Sequence, residues 1–221
     1  MCEFSAILED SYKHKGMRRQ LVKEVASKGI TSIKVLEAIG KVPRHYFFDP
    51  IFDIHAYEDK AFPIGEGQTI SQPYTVAFQT ELLEVKPGDK ILEIGTGSGY
   101  QATILLELGA KLFTIEYQKK LFQKVVKFLP SIGYQANFYC GDGSRGLKEK
   151  APYDGIIVTA GAPTIPDDLI EQLKIGGRLV IPVGDSKKQR MVVIQKISRT
   201  KVTKKEFAYF SFVPLLGEKG W

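Results

Sequence analysis

The chain has 221 residues, 43% hydrophobic and 25% charged, a composition ordinary for a soluble globular domain with one sizeable core. No apolar run reaches the roughly 18 residues of a membrane span, and Cys2 and Cys140 are too few for a disulfide framework and lack metal-ligand spacing. A formal charge of +6 and a pI near 9.1 permit nucleic acid as a partner, but the densest basic patches, Lys187, Lys188 and Arg190, then Lys201, Lys204 and Lys205, read as the solvated rims of two hairpin ends. Neither nucleic acid, membrane nor metal is therefore expected. The first ten residues include acids and no long apolar core, which does not support a secretory signal, and a reducing cytoplasm is the expected location.

Over residues 16–28, Met17, Leu21, Val22 and Val25 recur at helical spacing. Thr31 or Ser32 is placed to cap a second helix with Ile33, Leu36 and Ile39 on one side, which Gly40 and Pro43 stop. A loop-rich stretch follows through Asp49-Pro50 to Tyr57-Glu58-Asp59, so residues 16–60 form a helical cover without a strand signature. His14, His45 and His55 have no spaced acidic or cysteine partners and read as structural or surface groups.

Residues 61–72 form the next unit. F-P-I-G-E-G-Q-T-I-S-Q-P-Y, beginning at Phe62, has too many breakers for a regular element and is rich in hydroxyl and amide groups. After it Pro73 opens a helix carried by Val76, Ala77, Phe78, Leu82 and Leu83. That helix spans roughly 18 Å, and the strand over residues 90–94 returns roughly 16 Å. If the two run antiparallel, Ser71 and Gly95 reach the same sheet edge, where open α/β sheets bind ligands.

The strand K-I-L-E-I ends in Gly95, Gly97 and Gly99 at alternate positions and opens into a helix with Ala102, Leu105, Leu106 and Leu108. Such glycines allow positive φ and remove Cβ atoms from the path of a ligand. A dinucleotide fingerprint needs a further glycine where Tyr100 stands. Instead, one acid, Glu93, lies on the strand, and a second, Glu116, ends the next apolar run. A carboxylate at Glu116 can accept both hydroxyls of a ribose, and an acid beside the turn suits an ammonium or sulfonium rather than a phosphate. This combination resembles the cofactor loop of S-adenosylmethionine-dependent methyltransferases.

Beyond Glu116 come a helix with Leu121, Phe122, Val125, Val126 and Leu129, a strand over 137–140, Gly141-Asp142-Gly143, and a buried strand over 153–159. Pro166 begins a helix over 166–173, and three strands without an intervening helix finish the chain. The fold class is α/β, a doubly wound, mostly parallel sheet with a C-terminal antiparallel hairpin.

Taken together, G-Q-T-I-S-Q-P from Gly67, I-L-E-I-G-T-G-S-G-Y, Gly141-Asp142-Gly143, A-P-Y-D-G-I-I-V-T-A, G-G-R-L-V-I-P-V-G and a terminal F-V-P-L resemble bacterial protein-L-isoaspartate (D-aspartate) O-methyltransferases. The resemblance runs from Lys41 onward, including Val42-Pro43-Arg44, with Gly161 where an alanine is usual and nothing matched over the first fifteen residues. It implies one Rossmann-like methyltransferase domain over 1–221, its core over 73–221. The implied enzyme moves the methyl of S-adenosyl-L-methionine to the α-carboxylate of L-isoaspartyl residues in damaged proteins, leaving S-adenosyl-L-homocysteine and an ester that collapses to a succinimide.

That carboxylate is ionised at neutral pH, so positioning rather than a general base is required. Ser71 is expected as the catalytic, substrate-orienting hydroxyl, its alternative being a helix cap. Gln68, Thr69, Ile70, Glu93, Gly95, Gly97, Gly99, Glu116, Asp142 and Gly143 are expected at the cofactor, and Gln72 and Val213 at the substrate. Asp142 has the alternative of a turn aspartate. A nucleic-acid methyltransferase is disfavoured by T-A-G-A-P from Thr159, where base amino-methylation calls for an Asn/Asp-Pro-Pro-aromatic turn, and by the missing Pro-Cys nucleophile. A non-catalytic cofactor-binding module would have lost Glu93, Glu116 or Ser71, and all three are present.

Overall fold

The computed structural model describes residues 8–221; Cys2 and the other residues of 1–7 lie outside the described part. The elements are α1 (Tyr12–Ser27), α2 (Ile33–Lys41), β1 (Phe62–Gly65), β2 (Gln68–Ile70), α3 (Pro73–Leu83), β3 (Lys90–Ile94), α4 (Tyr100–Glu107), β4 (Lys111–Glu116), α5 (Lys119–Ser131), β5 (Asn137–Cys140), β6 (Tyr153–Val158), α6 (Asp167–Glu171), β7 (Leu173–Gly184), β8 (Gln189–Lys196) and β9 (Val202–Phe210).

A seven-stranded sheet runs in the order β5-β4-β3-β6-β7-β8-β9. β3 pairs in parallel with both β4 and β6, and the order in which strands are added to the sheet reverses there. β7, β8 and β9 are antiparallel neighbours, as the absence of helical patterning between them requires. Successive residues feed opposite faces. Ile91, Ile157, Val180 and Met191 join the apolar cluster beneath α1 to α5, while Leu92, Ile156, Leu179 and Val192 join that beneath α6. Burial on both faces explains why these strands read as unbroken apolar runs. The exposed edge strand β9 carries Lys204, Lys205 and Glu206, charges that oppose edge-to-edge association. Lys204 and Lys205 therefore lie on a strand rather than at a hairpin end.

Some boundaries differ from expectation for local reasons. α1 starts at Tyr12 because Ser11 and His14 close a reciprocal capping box. Neither Thr31 nor Ser32 caps α2 with its own side chain; Oε1 of Glu81 on α3 accepts the Thr31 and Ser32 N–H groups at 2.9 and 2.6 Å. The helix expected over 166–173 shrinks to α6, because Leu173 already pairs with Tyr153 in the sheet. Residues 62–70, expected to be irregular, form a hairpin pairing Phe62 with Ile70 and Gly65 with Gln68. Glu66 and Gly67, at φ of 50° and 68°, make the two-residue turn with both central residues left-handed that such hairpins favour.

The histidines are less isolated than their spacing implies. His14 meets Asp53 at 2.9 Å and His55 meets Glu58 at 2.6 Å, while the His14 and His45 rings stack with centroids 3.8 Å apart. Asp10 lies with them, but Arg18 already holds both of its oxygens. Stacked rings also send their in-plane lone pairs side by side rather than toward one ion.

Candidate active site

At the carboxyl edge of β3, β4 and β6 lies an open cleft, at the edge where open α/β sheets bind ligands. β2 and the turn before α3 form one wall, with Gln68, Thr69, Ile70 and Ser71. The opposite wall is the turn from Gly95 to Ser98, with Glu116, Gly143, Val213 and Pro214 around it. Ser71 and Gly95 thus meet at one edge of the sheet.

The three turn glycines are all left-handed, at φ of 95°, 53° and 87°, but they serve different ends. A Cβ on Gly95 would lie 2.5 Å from Oγ1 of Thr159, and one on Gly99 would lie 2.9 Å from Val125 and 3.0 Å from Leu129. These two glycines let the turn pack against β6 and α5, whereas Gly97 leaves its space open apart from Ile64 at 3.6 Å. Gly97 is the place where backbone and ligand can approach. Gly99→Ala is expected to destabilise the protein by about 1–3 kcal/mol, from overpacking plus a strained φ. Chemical denaturation at an unchanged midpoint would contradict this.

Glu116 anchors the turn from the side. Its Oε2 accepts the Gly97 N–H and its Oε1 the Gln118 N–H, both at 2.8 Å. An ionised carboxylate has about four acceptor sites, so each oxygen retains one for a ligand hydroxyl. Thr159 buttresses the floor, donating to the Gly95 carbonyl at 2.6 Å. Gly143 lines the cleft where a Cβ would strike Ile94 and Ile115 at 2.7 Å.

Four of the expected residues lie off the lining. Gly99 begins α4. Gln72 turns away to Asp59, donating from Nε2 at 2.9 Å. Asp142 accepts the Ser144 and Glu218 N–H groups at 2.8 Å each, so its carboxylate latches the C-terminal segment as well as its own turn. Glu93 is fully buried, with Oε2 held by Thr114 at 2.6 Å and Oε1 without a partner. A hydroxyl chain continues from Thr114 to Thr96 on the cleft wall, also at 2.6 Å.

Burial pushes the Glu93 carboxyl up to about 8, against the lowering effect of the Thr114 hydrogen bond and with a further rise from nearby Glu116. The folded state holds this proton more tightly than the unfolded chain does. The resulting stability is full below the ordinary carboxylate value and is lost as the pH rises through about 8. The thermal midpoint of the wild type minus that of Glu93→Gln is therefore expected to fall between about pH 5 and about pH 8; a flat difference would contradict the assignment.

Asp59 escaped the sequence reading as a site-builder. Its Oδ1 accepts the Tyr74 N–H at 2.7 Å, capping α3 from outside, so the Ser71 hydroxyl has no capping duty. Its only sequence signal is the short Tyr57-Glu58-Asp59 match. Gly161, the departure from the usual alanine, is explained by Gln189, whose Cδ would lie 2.7 Å from a Cβ at Gly161. Gln189 uses that space to accept the Phe212 N–H at 2.8 Å, and the Gly161 N–H is free to hold the Val213 carbonyl at 2.8 Å.

The donor set fits S-adenosyl-L-methionine: Glu116 keeps acceptor capacity for a diol, Gly97 leaves backbone uncovered, and Glu93 carries an unpartnered acid oxygen behind the turn. Among the described residues no helix is long and apolar enough to cross a membrane.

Residues 16–220 match the family of protein-L-isoaspartate(D-aspartate) O-methyltransferases. A protein-L-isoaspartate O-methyltransferase of Cytophaga hutchinsonii is 60% identical over 214 residues, 97% of each chain. One from Christiangramia forsetii is 57% identical, covering 96% of this chain and 100% of that one. A solved protein-L-isoaspartate O-methyltransferase superposes with a TM-score of 0.80 at 28% identity, over 91% of this chain and 66% of that chain. A Plasmodium falciparum chain assigned to the same enzymes, solved with S-adenosyl-L-homocysteine, shares the fold at a TM-score of 0.77 and 24% identity, over 90% and 98% of the two chains.

Proposed function

The chain belongs to the protein-L-isoaspartate(D-aspartate) O-methyltransferase family, and from that premise we propose how its own residues divide the work of the reaction. It is an enzyme that transfers a methyl group from S-adenosyl-L-methionine to the α-carboxylate of L-isoaspartyl residues, initiating repair through a succinimide. When bound, S-adenosyl-L-methionine supplies a methyl group on a positively charged sulfur. The acceptor carboxylate is already an anion at neutral pH, so no side chain has to remove a proton.

What remains for the protein is orientation. We assign Ser71 to hold the acceptor carboxylate through a neutral hydroxyl, which orients it without the strong electron withdrawal of a direct cation. Gln68, Thr69 and Ile70 shape the wall beside it. Glu116 takes the ribose hydroxyls on its free acceptor sites, and Gly95, Gly97 and Gly143 admit the cofactor to the backbone. Gly99 and Asp142 act by holding the turn and the C-terminal segment in place, Glu93 by the hydroxyl chain to Thr96, and Gln72 by its bond to Asp59. Val213 borders the cleft where a peptide in extended form would pass.

The observation that carries this reading is the convergence of Ser71, Gly97 and Glu116 on one cleft. We further propose that residues 1–221 act as a single methyltransferase domain, and that the enzyme works in the cytoplasm, a reading supported by free Cys140. A protein rather than nucleic acid acceptor is supported by a cleft lining that, among the described residues, carries no lysine or arginine. Incubation of an isoaspartyl peptide with the enzyme and S-adenosyl-L-methionine tests the function. Conversion to the normal aspartyl peptide over repeated cycles is expected, and an isoaspartyl content that never falls would contradict it.

A further inference from the structure

Among the described residues the cleft lining carries one carboxylate, Glu116, and no cationic side chain. Glu93, buried behind the same turn with its carboxyl raised to about 8, is mostly the neutral acid at neutral pH, and the methyl acceptor is itself a carboxylate. Apart from the sulfonium of a bound cofactor, the acceptor thus meets a lining charge of its own sign and none of the opposite sign among the described residues.

One cation stands close by, one aromatic ring behind the wall. Arg44 is 0% exposed, and its guanidinium lies 4.5 Å from the centroid of the Tyr100 ring and 5.3 Å from that of Phe48. Tyr100 itself lines the cleft. Nη2 of Arg44 donates to the Lys60 carbonyl at 3.3 Å, while among the described residues Nε and Nη1 meet no acceptor and the Tyr100 hydroxyl is equally unpartnered. Arg18, the other buried arginine, is different: Asp10 takes it at both nitrogens, and Nε reaches the Gly40 carbonyl at 2.7 Å.

A buried charge without a paired counter-ion is costly, and an apolar side chain of similar volume commonly replaces one without loss of stability. Asp59 is near enough to attract Arg44, but its carboxylate already serves Tyr74, Gln72 and Lys28. Burial brings Arg44 down to about 10, which leaves it cationic at neutral pH. Its field passes through protein rather than water, where charges act over longer distances.

We propose that Arg44 is a positioning residue for the anionic methyl acceptor, its unpaired buried charge acting through Tyr100 to offset the Glu116 carboxylate of the cleft and to favour the acceptor at the Ser71 wall. The inference rests on the isoaspartyl methyltransferase function. Placed behind a ring, the cation attracts the nucleophile without forming the direct bond that would hold its electrons back.

The test uses Arg44→Met, Arg44→Gln and Arg44→Lys. Arg44→Met is expected to raise the KM for an isoaspartyl peptide, and the Kd of that peptide for enzyme loaded with S-adenosyl-L-homocysteine, by about 10-fold. The kcat and the affinity for S-adenosyl-L-homocysteine should stay within about two-fold, with a thermal midpoint no lower than that of the wild type. Arg44→Lys should recover most of the lost peptide affinity, and Arg44→Gln gives the same reading if the methionine variant does not fold. Unchanged peptide affinity, a parallel loss of peptide and S-adenosyl-L-homocysteine affinity, or collapse of both neutral variants would overturn the proposal in favour of a packing role. If the wild type methylates no isoaspartyl peptide, the function beneath the proposal fails instead.

Discussion

Replacing Ser71 with alanine is expected to lower kcat for an isoaspartyl peptide by about 10²-fold, the scale on which one preorganised donor or an ångström of misplacement matters. Affinity for S-adenosyl-L-homocysteine should stay within about two-fold, since Ser71 is assigned to the acceptor and a lost neutral contact elsewhere is worth little. The structure makes this variant informative. α3 begins on Pro73 and is capped by Asp59 through the Tyr74 N–H, so removing the Ser71 hydroxyl removes no helix cap. A variant with normal kcat would dismiss Ser71 from the reaction. One with low kcat and a large fall in thermal midpoint would return it to a structural role.

Glu116→Ala should act at the opposite end of the cleft and mainly on affinity. It removes a carboxylate acceptor for two hydroxyls and strands the Gly97 and Gln118 N–H groups that the carboxylate now holds. Hydrogen bonds to charged groups contribute about 1.5–3 kcal/mol each, so the Kd for S-adenosyl-L-homocysteine should rise by at least about 10²-fold, as calorimetry would report. Glu116→Gln keeps one acceptor oxygen and should fall between. An unchanged Kd for the alanine variant would remove Glu116 from the cofactor site.

Different parts of this site were legible in the sequence for different physical reasons. Gly95, Gly97 and Gly99 stood out because three left-handed backbone positions at alternate residues leave a compositional trace. Glu116 was legible because the end of an apolar strand run places it at the sheet edge. Parallel strands buried on both faces gave the fold class through their unbroken apolar runs. By contrast, Glu93 sits on the same short strand as Ile91 and Leu92, and spacing alone did not reveal that its side chain turns into the protein. The hairpin from Phe62 to Ile70 was hidden by Pro63, Gly65 and Gly67, which mark breaks in most contexts and here build a tight turn.

Other features depend on chain segments that only folding brings together. Asp59 capping α3, Glu81 capping α2 across 50 positions, and Asp142 latching Glu218 across 76 are side-chain to backbone bonds with no local sequence pattern. Arg44 belongs to the same group. Val-Pro-Arg marks a resemblance, but its contact with Tyr100 is made 56 positions later in the chain.

The central claim is that this cleft presents an isoaspartyl carboxylate to a sulfonium-borne methyl group. Transfer of labelled methyl from S-adenosyl-L-methionine to a synthetic isoaspartyl peptide, beside the same peptide with normal aspartate, tests it most directly. The account predicts base-labile methyl incorporation into the isoaspartyl peptide alone. Incorporation into neither peptide while S-adenosyl-L-homocysteine still binds, or equal incorporation into both, would contradict it.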